Sequence, residues 1–302
     1  MGFEEFKNKM LEASNKYFKE GTRAVINQVT KNNGVQLHGL TIMEDGCNIA
    51  PTIYLDGLYE SYREGTTFSE LFHRIVKAYE ENKIEESINI EFFTEYESVR
   101  HRIVYKLINH DKNRELLEDI PHIQYLDLAI VFYCLMICDT FGNGSILIHN
   151  SHCKMWNVDA GQLYEDARAN TPLLLGAELK SMEEVISDLV KQSEFTDSQQ
   201  LEEDVRDVPM YVLSNKTKIH GAACILYENV VKDFADYLNR DIFILPSSVH
   251  EVILVPSQGA QKAQNLVEMV REVNETQVEE EEILSDSVYY FSREDGLMSR
   301  IS

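Results

Sequence analysis

The sequence predicts an α+β protein with a mixed, largely antiparallel sheet around a buried central hairpin. Three observations carry this. Leu128 to Cys138 is an unbroken apolar run, LAIVFYCLMIC, between Asp127 and Asp139. It is too short to cross a bilayer, and its β-branched and aromatic residues favour a strand covered on both faces. Gly142-Asn143-Gly144 then gives a tight-turn signal, because Asn and Gly tolerate positive φ, so 145–149 is expected to return alongside. On both sides of this hairpin, segments of helical spacing with capping signals alternate with short apolar stretches.

Taken in order, Phe3, Phe6, Met10, Tyr17 and Phe18 recur at helical spacing, and Gly21 closes that first helix. Residues 23–30 and 35–43 flank Lys31-Asn-Asn-Gly34 as a hairpin. Thr67-Phe-Ser-Glu70 is a capping box opening a helix through Tyr79. A polar joint at 80–86 places a boundary near Asn82, ahead of a helix through Phe92, Phe93, Tyr96 and Val99. The middle region reads as strand 102–108, short helix 113–117, the Leu128 to Cys138 strand, strand 145–149, a helix capped by Asp159 with Gln162, and an extended 173–175. Ser181-Met-Glu-Glu184 opens another helix, ending near Lys191.

Residues 192–207 are acidic and poor in large apolar side chains, which marks a linker. Beyond it come strand 210–213, an untyped segment 221–227, helix 229–238, strands 242–245 and 251–255, helix 261–273 and strand 288–291. The expected regions are an N-terminal α+β region at 1–82, a central α+β unit at 83–191, the linker at 192–207 and a C-terminal α+β unit at 208–302. The element order of the last two admits two split β-α-β-β-α-β units, with one continuous mixed sheet as the alternative.

Charge narrows the function classes. The 302 residues hold 28 basic and 51 acidic side chains, a net of −23. The balance is 18 against 27 from Met1 to Lys180 and 10 against 24 from Ser181 to Ser302, so the C-terminal part is the more acidic. Such a field repels nucleic acid and anionic membrane. No cationic and apolar leader pattern opens the chain, no apolar run reaches spanning length, and five scattered cysteines form no disulfide framework. These features lead to the expectation of a soluble, cytoplasmic protein with reduced thiols.

Two segments carry chemistry-bearing side chains. His149-Asn-Ser-His152-Cys153 offers His149, His152 and Cys153 as weak metal candidates, but zinc normally takes four ligands and no second cluster supplies the rest. The expectation is therefore no metal and no cofactor, with these three as ordinary strand-end and core residues. Ser247-Ser-Val-His250-Glu251 puts hydroxyl, imidazole and carboxylate in sequence, but consecutive residues point to opposite sides and no GxSxG elbow is present, so a turn held by serine hydroxyls is the plainer reading. His220 with Cys224 is the other close pair, and Ser285-Asp286-Ser287 reads as the start of a strand. Neither GxxxxGK[ST] nor GxGxxG occurs.

The blocks Asp119-Ile-Pro-His122, Leu126 to Cys134, Ile146 to His152, Leu245 to Ile253, Met269 to Asn274 and Leu284 to Val288 resemble domain-of-unknown-function family 5688, in order, over roughly 92–291. The stretch 156–171 is more distantly similar to the YtpQ-like family. The resemblance implies a bacterial cytosolic setting in the company of mobile-element genes, and transfers no catalytic residue. Two function classes stand: a non-catalytic binding or regulatory protein whose acidic surface meets a basic protein partner, and a small-molecule hydrolase using the His149 or His250 neighbourhood.

Overall fold

The computed structural model describes residues 1–18, 21–47, 50–83, 91–138, 142–192, 209–246, 248–257 and 263–301. Two compact units divide the chain: Met1–Thr94 with Met136–Gly144, and Glu95–Leu135 with Ser145–Ser302.

In the first unit, α1 (Phe3–Tyr17) precedes an antiparallel sheet of β1 (Thr22–Thr30), β2 (Gln36–Glu44) and β3 (Thr52–Tyr54), followed by α2 (Leu55–Arg63) and α3 (Phe68–Asn82). The helical stripe read from the sequence is the packed one, since Phe6 and Met10 of α1 meet Leu40, Ile42, Leu55, Leu71, Ile75 and Tyr79 in one core. The β1–β2 turn places Asn33 at φ 60° and Gly34 at φ 75°, the left-handed region that favours these two residue types. Thr67 and Glu70 exchange hydrogen bonds at the start of α3 as the capping box requires: the Thr67 hydroxyl oxygen accepts from the Glu70 amide at 3.3 Å, and the Glu70 carboxylate accepts from the Thr67 amide at 3.0 Å. β3 and α2 fall in a stretch for which the sequence pattern above predicts no element, although Leu55, Leu58, Tyr59 and Tyr62 have helical spacing.

A 3-10 turn (Glu91–Thr94) ends the first stretch of the first unit and α4 (Tyr96–Val99) opens the second, where one helix was expected from Phe92 to Val99. A four-stranded antiparallel sheet is then laid down by β4 (Ile103–Asn109), α5 (Arg114–Asp119), β5 (His122–Tyr125), β6 (Leu128–Cys138) and β7 (Gly142–Leu147). β6 is its centre, paired with β4, β5 and β7. Every residue from Leu128 to Cys134 is at most 4% exposed, as expected of a strand covered on both faces. The Gly142-Asn143-Gly144 turn is corrected: these residues belong to β7, which pairs with β6, because a strand's conformation follows its pairing over the preference of single Gly and Asn residues, and the connection at 139–141 lies outside the described residues. At the other end, Leu126-Asp127 is a two-residue loop between β5 and β6, with Leu126 at φ 55°.

Next come α6 (Asn150–Trp156) and α7 (Ala160–Leu174), the latter capped by the Asp159 carboxylate accepting from the Gln162 amide at 2.9 Å. The extended 173–175 segment is corrected as well: α7 continues through Pro172 to Leu174, and Leu175 is its C-cap. The remaining elements are β8 (Ala177–Ser181), α8 (Met182–Gln192), β9 (Tyr211–Asn215), a 3-10 stretch Gly221–Leu226, α9 (Val230–Leu238), β10 (Ile242–Leu245), β11 (Val252–Pro256), α10 (Ala263–Thr276), β12 (Val288–Ser292) and β13 (Leu297–Ile301). The expected linker at 192–207 falls, apart from Gln192, outside the described residues.

These last strands form a six-stranded sheet in the order β13-β12-β10-β11-β9-β8, each neighbouring pair antiparallel. β9 and β10 both run against β11, so they are parallel to one another with β11 inserted between them. The same logic makes β11 and β12 parallel about β10, and both helical crossovers are therefore split. The middle region does not repeat this order, since its last expected strand is the end of α7. Among the described residues one continuous sheet is not formed either; their strands are divided among three sheets. The architecture is α+β with largely antiparallel sheets, and no helix among the described residues is long and apolar enough to cross a membrane.

Candidate functional site

The His149–Cys153 segment is a helix start rather than a strand end. His149 is the N-cap of α6 with extended backbone, and its amide donates to His152 Nδ1 at 3.0 Å. His149 Nδ1 faces Asp119 Oδ2 at 2.7 Å, while the His152 ring packs on Trp156 at 5.7 Å. Burial, with His149 nearby, holds His152 below the ordinary imidazole pKa. Cys153 is 9% exposed and lines an open cleft of about 810 Å³ with Leu117, His122 and Val158; burial raises its thiol pKa. The His149 and His152 rings thus meet edge-on at 5.6 Å, while Cys153 faces the cleft. Among the described residues, no three His, Cys, Asp or Glu side chains are grouped as metal ligands would be.

A denser arrangement unites two motifs that stand thirty residues apart in the chain. Asn215, 1% exposed at the end of β9, coils the loop that follows. Its Oδ1 accepts from the Thr217 amide (3.1 Å), the Thr217 hydroxyl (2.8 Å) and the Ile219 amide (3.3 Å), and its Nδ2 donates to the Ile219 carbonyl (2.8 Å). Within this coil Lys218 and His220 both adopt φ 55°, a costly conformation for residues with long or bulky side chains. Gly221 must be glycine for a different reason: a Cβ there would lie 2.2 Å from Ser214 Oγ, 2.5 Å from the His250 carbonyl and 2.6 Å from the Asn215 nitrogen.

The strained loop delivers His220 onto His250. The rings stack with centroids 5.6 Å apart and planes 12° from parallel, and Tyr133 of β6 meets His220 edge-on at 5.7 Å. The His220 amide donates to His250 Nδ1 at 3.2 Å, which places the proton of a neutral His250 on Nε2, 3.5 Å from Glu282 Oε1. Burial, then the charge of Lys106, then His250 push the His220 pKa down to about 3, so this ring is neutral at physiological pH. Its Nδ1 is buried with no hydrogen-bond partner among the described residues.

Ser248 completes a turn and does not address the imidazole. Its Oγ donates to Glu251 Oε1 at 3.1 Å and accepts from the His250 amide at 3.0 Å. Ser247 lies outside the described residues. With Nδ1 of His250 taken by an amide and Nε2 directed at a carboxylate, the nucleophile-to-base hydrogen bond of a serine hydrolase is not formed here.

Beside this centre lies a cavity of about 330 Å³. Its floor follows from strand register. Lys180, Val212 and Ile253 stand opposite one another across β8, β9 and β11, and Glu178 with Ser214 forms the next row, which Glu251 continues at the start of β11. Met182 and Val185 of α8 and Lys218 of the strained loop complete the lining. Lys180 is engaged by Asp188 at 3.0 Å and Glu178 at 3.8 Å, and the Asp188 hydrogen bond raises its pKa. Sequence reasoning singled out neither Lys218 nor the Glu178/Lys180 alternation; the Asn-x-Thr turn signal at 215–217 was the visible clue to the loop.

Fold and site together define an antiparallel α+β protein with a strained histidine-bearing loop beside a small charged cavity. The chain belongs to the family of unknown function DUF5688, whose model matches residues 3–293 and so takes in the N-terminal region as well as the blocks that resembled it. The YtpQ-like similarity is not confirmed. No curated protein and no solved structure matches the chain.

Proposed function

We propose that this protein is a non-catalytic binding protein of the bacterial cytoplasm whose acidic surface receives a basic protein partner. The observation that carries this reading is the anchoring of the acidic segment 279–282. Glu280–Glu282 forms a 3-10 turn, closed by the Glu282 amide donating to the Glu279 carbonyl at 2.8 Å. The Val249 amide donates to the Glu282 carbonyl, also at 2.8 Å, and the Glu282 carboxylate faces His250. Glu279 and Glu280 are left exposed on a fixed turn, within the part of the chain that carries 24 acidic against 10 basic residues. A preorganised anionic surface steers a cationic partner and loses less freedom on binding than a loose tail. The hydrolase reading has less support, because Ser248 is committed to Glu251.

The test is a quantitative pull-down with the full chain as bait, at low salt and at an ionic strength where the Debye length falls to about 8 Å, beside the Glu279→Lys/Glu280→Lys double variant. The reading expects capture that falls with salt and falls again on reversal, at unchanged melting temperature. Capture indifferent to both salt and reversal refutes it.

A further inference from the structure

We propose that the cavity between α8 and the β8-β9-β11 face binds a small zwitterion, an α-amino acid with an aliphatic or thioether side chain. Its volume, about 330 Å³, lies at the lower end of the range for small-molecule sites. Its body is apolar, with Val212 and Ile253 below and Met182 and Val185 of α8 alongside. Its polar groups have both signs, and most of their charge is already matched. Lys180 is taken by Asp188 and Glu178. What is left is one cation and one anion. Lys218 makes no ion pair among the described residues, and the Glu251 carboxylate accepts from the Ser248 hydroxyl, with no lysine or arginine partner among those residues.

An unmatched ammonium, an unmatched carboxylate and an apolar body are the complement of an amino acid, whose carboxylate goes to Lys218 and whose ammonium goes to Glu251. A phosphate or other dianion fits poorly, since it would meet one available lysine and two carboxylates. The loop supplies an independent sign. Lys218 is held at φ 55° by the Asn215 side chain, and strain of this kind is retained where it places a side chain for use. This site is independent of the acidic turn at 279–282, and neither proposal depends on the other.

Calorimetric titration of the full chain with L-leucine, L-valine and L-methionine tests it, beside 4-methylpentanoate, which lacks the amine, and 3-methylbutylamine, which lacks the carboxylate. At least one amino acid is expected to bind with Kd below about 1 mM, and the two truncated analogues at least about tenfold more weakly. Lys218→Gln is expected to lose about tenfold or more and Lys218→Arg to recover most of it, both with wild-type melting, because Lys218 is exposed. No saturable heat from any of the three amino acids at about 10 mM, or equal affinity for 4-methylpentanoate, or an unaffected Lys218→Gln variant, overturns the proposal.

Discussion

The Tyr289 hydroxyl donates to Asp127 Oδ1 at 2.9 Å, joining the β5–β6 loop to β12 across 162 residues of chain. The other carboxylate oxygen accepts from Ser285 Oγ at 2.6 Å and Ser287 Oγ at 3.2 Å. Tyr289, Ser285 and Ser287 are 0%, 0% and 5% exposed, so these donors have no water to turn to. Burial first, and then Asp127, raise the Tyr289 pKa well above its ordinary value, which keeps the hydroxyl protonated and donating. Asp127→Ala is expected to cost about 3 kcal/mol and Tyr289→Phe about 1 to 2, with the double variant costing less than their sum. Urea denaturation of the four species measures the coupling; strict additivity would show that the pair does not interact.

A pH effect follows from His220. Its folded pKa is depressed to about 3 from an ordinary 6.5, so the unfolded chain takes up a proton that the folded chain refuses. The resulting stability is fully present above about pH 6.5 and is lost as pH falls from there toward 3, by up to about 1.4 kcal/mol per pH unit. His220→Asn, which suits the positive φ, is expected to flatten the stability curve between pH 6.5 and 4.5 relative to the wild type. Denaturant midpoints at several pH values measure this, and parallel curves for the two proteins contradict it.

Two glycines should respond oppositely to alanine. Gly221→Ala drives a methyl into Ser214 Oγ, the His250 carbonyl and the Asn215 amide, and should cost about 3 kcal/mol or more. Gly57, inside α2, has nothing within 4 Å of its would-be Cβ, and Gly57→Ala should stabilise by about 0.5 to 1 kcal/mol. Thermal melts with opposite shifts would bear this out.

Val131 is 0% exposed and lies opposite Lys106 of β4 and His122 of β5. Val131→Asp places a carboxylate in a strand covered on both faces, at a cost of several kcal/mol against a total stability of about 5 to 15. Loss of soluble expression or of cooperative melting is the expected result, read by circular dichroism.

What was legible in the sequence is what local physics fixes. The β6 limits, the Thr67 and Asp159 caps and the Asn33-Gly34 turn each follow from a short string of residues. The short strands β3, β5, β8 and β13 are not legible in the sequence, since three to five residues of mixed polarity owe their conformation to the ladder they join. The end of α7 is not legible either, since the helix runs through Pro172, a residue that normally breaks one, to Leu174. The site was harder still. His220 and His250 were each visible as residues, but their stacking depends on the Asn215 coil and on the place of β11 beside β9, neither of which has a local signature.

The split crossovers bear on the order in which the chain can fold. During synthesis β10 emerges before β12, its neighbour on one side, and β9 emerges before β11, its neighbour on the other. Neither inner ladder can close when its first strand leaves the ribosome, and Asp127 waits 158 residues for Ser285. Long-range closure of this kind slows folding and leaves strand edges open in the meantime. Ending the chain at Leu284 would therefore leave β10 unpaired on one side and Asp127 without its three donors, so a truncated chain is expected to engage chaperones or aggregate while the full chain completes its sheet.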